Sequence, residues 1–202
     1  MPPLPAKTRL TLPFGSPRAG HVWRVGDGGA EVIDNYHAKR DTFYAIDISP
    51  RSLNNPAQPA SVTEAPCWNL PIKAAAPGKV AIARDDMIDE PKLGTNSNPR
   101  SPGNHVILDH LNGEFTLYAH LRQDSVMVRP GQAISRGQEL GRCGNSASPS
   151  PHLHFQLMDG SDLEKAGGIP PVFYDYFAPL RYVESGSLVA GDVVLPTPPL
   201  AK

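Results

Sequence analysis

Short runs in which apolar and polar side chains alternate succeed one another along the chain, broken at close intervals by Gly, Pro, Asn and Asp. The clearest are HVWRV, FYAIDIS, IKAAA, KVAIAR, HVILDH, FTLYAHL, SVMV, HLHFQLM and VFYDYF. An alternation of period two puts successive side chains on opposite faces of a pleated strand. No ten-residue stretch carries the competing helical stripe. The pattern therefore predicts an all-β fold, an antiparallel β-sandwich or barrel-like sheet with long irregular loops. The sharpest hairpin signal is HVILDH-LNGE-FTLYAHL, where Asn112-Gly113 is expected to supply the positive φ angles of a tight turn. Between Arg84 and Gly103 the polar, proline-containing stretch reads as a loop. Residues 1–20 read as an extended leader without a fold of its own, residues 21–185 as one domain, and residues 186–202 as a proline-rich tail or extended edge.

Composition narrows this picture. The chain has 23 prolines and 18 glycines in 202 residues. That proline content is about twice the usual ~5% and fits many turns between short elements rather than long helices. With 19 basic against 20 acidic side chains the formal net charge is −1, so neither a nucleic-acid groove nor a polybasic membrane patch is expected. No apolar run approaches the ~18 residues of a membrane span. The start MPPLPAKTRL lacks the basic-then-apolar pattern of a signal peptide, which leaves a cytosolic chain or one whose export signal has been removed. Cys67 and Cys143 lie far apart in sequence, and a disulfide and two buried thiols are both open at this point.

Candidate chemistry concentrates on histidine. In PHLHFQL, strand geometry puts His152, His154 and Gln156 on one face and Leu153, Phe155 and Leu157 on the other. In FTLYAHL the same rule puts Tyr118 and His120 together, opposite Leu117, Ala119 and Leu121. In NYHAKRDTFYAIDIS, His37 lies in a loop-like segment and Asp47 interrupts an apolar strand, where a carboxylate is costly unless it is paired or binds a metal. Three ligands of mixed imidazole and carboxylate type that leave a position for water are what a catalytic zinc site requires. His37, Asp47 and one member of the HxH pair supply that set. His21, His105 and His110 read as structural. Asn104 and Tyr118 are weaker candidates for touching a substrate.

The His before a strand Asp, the YAHL segment and GRCGNSASPSPHLHF together resemble the lysostaphin-type peptidoglycan endopeptidases. PIKAAAPGKVAIA, GNHVILDH and VRPGQAISRGQELGRCGN continue the likeness, which runs from about Tyr36 to Leu157. The resemblance implies a groove holding one Zn2+ per chain, bound by His37, Asp47 and His154. His120 and His152 are then the uncoordinated histidines that activate water and stabilise an oxyanion. It also implies residues 21–185 as the peptidase domain, peptidoglycan peptides as substrate, and a cell-envelope, periplasmic or secreted location. The family usually spaces its first His and Asp as HxxxD, whereas nine residues separate His37 from Asp47 here. Asp41 fits the literal spacing, but Asp47 has the strand setting, and a lengthened loop between ligands is thermodynamically tolerated. Two other readings compete: a non-catalytic peptidoglycan-binding or regulatory member of the same family, and a carrier module of the biotinyl/lipoyl type. The second lacks the lysine such a module needs at its hairpin tip.

Overall fold

Thirteen strands and no helix make up the regular structure among residues 5–29, 43–53, 57–179 and 181–196, which are those that the computed structural model of the chain describes. In chain order these are β1 (His21–Gly28), β2 (Ile46–Ser52), β3 (Pro71–Lys73), β4 (Gly78–Arg84), β5 (Asn104–Asp109), β6 (Phe115–Leu121) and β7 (Ala133–Ile134). After them come β8 (Glu139–Arg142), β9 (Leu153–Met158), β10 (Gly168–Ile169), β11 (Phe173–Ala178), β12 (Arg181–Gly186) and β13 (Val193–Pro196). An 11-stranded sheet runs β12-β11-β13-β1-β2-β9-β6-β5-β4-β7, with β10 also paired to β9, and β3 and β8 form a separate two-stranded sheet. Every strand pairing is antiparallel. The all-β expectation therefore holds.

One face of the large sheet carries the main core. Trp23, Ile46, Ile48, Leu108, Tyr118, Leu153 and Phe155 lie there with no more than 1% exposure, packed with Ile72 and Leu140 of the small sheet. Full burial of an aliphatic or aromatic side chain contributes about 1.5–3 kcal/mol, so this face carries most of the stability. The opposite face holds a smaller cluster of Ile107, Leu117, Ala119 and Met158.

The structure departs from the sequence reading in several places. Residues 5–19 are extended but packed: Leu10 and Phe14 are buried, and Phe14 stacks on Trp23 at 4.0 Å between ring centres. Their backbone is used as well, Thr11 N donating to Ala75 O and Pro13 O accepting from Lys73 N. Apolar side chains at 10, 12 and 14 made this burial possible despite the prolines. Residues 193–196, read as tail, form β13 between β11 and β1. In the hairpin, Leu111 and Gly113 carry the positive φ angles, 60° and 86°, not Asn112. The Asp109 carboxylate accepts the Leu111 amide at 2.7 Å and the Asn112 side chain accepts the Glu114 amide at 2.9 Å, giving a wider turn built on side-chain caps. SVMV is not a strand: the Asp85 carboxylate takes the amides of Ser125 and Val126 at 3.3 and 3.1 Å, removing them from any ladder. Cys67 and Cys143 are joined in a disulfide.

Candidate metal and catalytic centre

The face opposite the main core is where the histidines gather, and strand register explains how. Asp47 of β2 lies directly across from His154 of β9, which lies across from Ala119 of β6. Cross-strand partners share a face, so Asp47, His154 and Ala119 form a transverse row. The row extends to Asp27, which is across from Asp47 in β1.

Alternation alone would have put His120 on the core face with Tyr118. It does not, because β6 is bulged: Ala119 and His120 together oppose His105, the register slipping between Asn104 and Val106. His120 adopts φ 57°, a left-handed conformation uncommon for a residue with a side chain. Beyond it the alternation has shifted by one, so that Leu121 joins Tyr118 in the main core while Ala119 stays on the other face. The expected pairing of Tyr118 and His120 is corrected accordingly. The bulge turns an imidazole that would have been buried in the core toward the row of Asp47 and His154, where its ring centre stands 4.9 Å from that of His152 and 5.8 Å from that of His154.

Within this group His154 Nδ1 and Asp47 Oδ1 are 2.9 Å apart, and the same carboxylate oxygen is 3.4 Å from His152 Nε2. His152 Nε2 is shielded from solvent and makes no well-formed hydrogen bond, although the side chain as a whole keeps 15% exposure. Backbone carbonyls fix the ring tautomers. His120 Nδ1 donates to Ser146 O at 2.9 Å and His152 Nδ1 to Ser150 O at 2.9 Å. A carbonyl only accepts, so each Nδ1 carries a proton, and Nε2 is left for chemistry.

The two rings differ electrostatically. Burial, with the neighbouring His152 and His154, pushes the His120 pKa down to about 3 against weaker opposition from Asp47 and the Ser146 carbonyl, which keeps this ring neutral. Burial also acts against a charged His152, but the Asp47 carboxylate and the Ser150 carbonyl outweigh it and raise the pKa above its ordinary value.

The support behind these rings was not legible as function. Ser146 Oγ accepts the Asn104 amide at 2.9 Å and donates to Leu121 O at 2.7 Å, bridging the two strands at the bulge. Gly103 is required there, since a Cβ on it would lie 2.2 Å from Ser146 O. The Asp89 carboxylate accepts the amides of Gln123 and Asn145, tying the 85–103 loop beneath the same turn. The run of small residues in GNSASPS just before PHLHF was the signal that could have pointed to these roles. Asn104 and Tyr118 are both fully buried: the Asn104 amide is bonded to Met87 and Leu121, and the Tyr118 hydroxyl accepts the Ala75 amide, so neither is open to a substrate. His110 uses both ring nitrogens, on Pro77 O and Thr116 Oγ1.

His37 and Asp41 lie outside the described residues. Among the described residues, no three His, Cys, Asp or Glu side chains form a complete metal cage. Asp47 and His154 stand side by side with mixed oxygen and nitrogen donors, next to the shielded His152 Nε2. Such a set fits zinc with one further ligand supplied from elsewhere.

The sequence profile of peptidase family M23 matches residues 62–165, just over half of the 202-residue chain. The chain belongs to this family. The matched span contains His120, His152 and His154, while His37 and Asp47 precede it. Peptidoglycan DD-endopeptidase ShyA of Vibrio cholerae serotype O1 is 40% identical over 65 residues, 32% of this chain and 14% of that protein. Murein hydrolase activator NlpD of Salmonella dublin is 27% identical over 136 residues, 67% of this chain and 28% of that protein. The match thus spans under a third of either relative's length. Among solved structures, a mutant of the catalytic domain of the prophage-encoded M23 protein EnpA from Enterococcus faecalis superposes with a TM-score of 0.50 at 22% identity, covering 80% of this chain and 95% of that one. This is a likeness of fold. No helix among the described residues is long and apolar enough to cross a membrane.

Proposed function

We propose that this M23 member is a zinc-dependent endopeptidase that hydrolyses peptide bonds in peptidoglycan stem peptides or cross-bridges. The observation that carries the reading is the juxtaposition of Asp47 Oδ1 and His154 Nδ1 at 2.9 Å with two further imidazoles whose Nδ1 atoms are tied to backbone carbonyls. In this reading His37, Asp47 and His154 hold the metal. Zinc, when bound, supplies Lewis-acid polarisation of the scissile carbonyl and lowers the pKa of water toward about 7. Neutral His120 accepts the proton of the attacking water at Nε2. His152, its Nδ1 tied to Ser150 O, donates from Nε2 when protonated to the oxygen on which charge develops. Two titratable groups driven apart by their surroundings are a usual basis for such a division of labour. His120 then passes its proton to the leaving amine, which restores the starting state.

A peptidase unit of residues 21–185, with β13 completing its sheet, acts in the cell envelope or outside the cell in this proposal. The disulfide supports an oxidising compartment, and the peptidoglycan-related names of its relatives support the same place. The carrier reading finds no support, because the exposed hairpin tip, Leu111, Asn112 and Gly113, carries no lysine. The regulatory reading draws on the relative named as a murein hydrolase activator.

The deciding experiment is release of soluble peptides from purified peptidoglycan by zinc-loaded wild type, His120→Ala and His154→Ala. The catalytic reading predicts release by wild type, with the rate lowered about 10²–10⁴-fold in His120→Ala and abolished in His154→Ala. Binding to peptidoglycan without release by zinc-loaded wild type would transfer the chain to the regulatory reading.

A further inference from the structure

The site row does not stop at the bulge. His105 opposes Ala119 and His120 from β5, and Arg84 of β4 is the cross-strand partner of His105. Across β1, β2, β9, β6, β5 and β4 the row therefore reads Asp27, Asp47, His154, Ala119 with His120, His105 and Arg84. It is acidic at one end and ends in a guanidinium at the other.

His105 was read from sequence as a packing residue, but its surroundings differ from those of His110, which is saturated. His105 is 8% exposed, and its Nδ1 donates to Gly103 O at 2.7 Å. The tautomer is thereby set with the lone pair on Nε2, and among the described residues nothing bonds to that atom. Burial, followed in weight by Arg84 among the neighbouring charges, keeps the ring from charging, with Asp86 acting weakly the other way. Arg84 is exposed and forms no salt bridge among the described residues. A neutral, nearly buried acceptor beside an uncommitted guanidinium is suited to a group that offers an N–H and a carboxylate together.

We propose that His105 and Arg84 form a substrate subsite on the β5–β4 side of the catalytic row, taking a carboxylate-bearing residue of the substrate peptide. His105 Nε2 accepts a substrate N–H, and the Arg84 guanidinium binds the carboxylate. Strands are spaced about 4.8 Å apart, so Arg84 lies about 14 Å from the His154 strand, within the reach of about four extended residues. This inference rests on the peptidase reading and deepens it: the preferred substrate is a peptide that presents a free carboxylate at this subsite rather than an uncharged one.

The test uses two synthetic cross-linked peptides that differ only in whether a side-chain carboxylate about four residues from the scissile bond is free or amidated. Affinity is measured by calorimetry, and hydrolysis in parallel, on full-length zinc-loaded wild type, Arg84→Gln, His105→Phe and, as a control, Arg129→Gln. The wild type is expected to bind the free-carboxylate peptide about tenfold more tightly than the amide, as expected for one charge-assisted contact. Arg84→Gln removes the preference, His105→Phe weakens binding of both peptides, and Arg129→Gln retains the wild-type pattern. Equal wild-type affinity for the two peptides, or a preference that survives Arg84→Gln, overturns the subsite even if both are hydrolysed. An Arg84-dependent preference without hydrolysis supports the subsite and counts against the catalytic reading instead. Binding of neither peptide overturns the subsite.

Discussion

The two faces of strands β2, β9 and β6 are built from the same residues in alternation and do opposite work. On one face Ile46, Ile48, Leu153, Phe155 and Tyr118 are fully buried and make the main core. On the other, Asp47, His154 and His120 stand within a few ångströms of one another. The first face is satisfied by dispersion and the removal of apolar surface, and it can be built from any well-fitting apolar side chains. The second depends on individual atoms and on tautomers fixed by Ser146 and Ser150. The comparison teaches that the core face stabilises the strands in a register that the site face could not hold by itself.

The separation of the faces can be tested from either side. Phe155→Ala should cost about 3–5 kcal/mol of stability, because it opens a cavity against Tyr118 and Phe173. Its neighbour His154→Ala should cost at most about 1 kcal/mol in the metal-free protein. Denaturant unfolding measures both, and a large loss from His154→Ala would show that the site face also holds the fold together. Replacing both cysteines by serine opens a link between residues 76 positions apart. That should lower stability by about 4 kcal/mol on the chain-entropy view, while zinc affinity, read by competition with a chelator, stays close to wild type.

A smaller effect comes from pH. The folded pKa of His120 is depressed to about 3, so the unfolded chain binds its proton first as pH falls. The stability contributed by the neutral ring is complete above about pH 6.5 and declines as pH drops from there toward 3, by up to a few kcal/mol. The raised pKa of His152 acts in the opposite sense, favouring the fold at low pH and fading as pH rises past its own titration. In the metal-free protein, His120→Asn should flatten the stability decline between pH 6.5 and 3 measured by thermal unfolding. An unchanged slope would place His120 in water rather than in a shielded site.

Much of this was legible from the sequence. The fold class followed from period-two alternation, and the face carrying His154 from the same rule, because β9 is regular from Leu153 and His152 stands immediately before it. The rule failed at His120. A bulge shifts alternation by one residue and depends on how β5 meets β6, a long-range feature that no local pattern encodes. The packed segment before Gly20 was missed for a related reason. Its apolar residues at 10, 12 and 14 have no turn partner nearby and find the small sheet and Trp23 only through the tertiary fold. Ser146 and Asn104, the latter at the start of β5, are short polar residues, and their role at the bulge arises from the approach of the 103–104 and 145–146 backbones. The subsite histidine was read as packing because one of its nitrogens does exactly that kind of work, and only the state of the other separates His105 from His110.

The most direct test of the central claim is zinc stoichiometry by elemental analysis on purified wild type, Asp47→Ala and Asp41→Ala. A site held by His37, Asp47 and His154 predicts about one zinc per wild-type chain, lost with Asp47→Ala and kept with Asp41→Ala. Loss of zinc with Asp41→Ala and its retention with Asp47→Ala would contradict it.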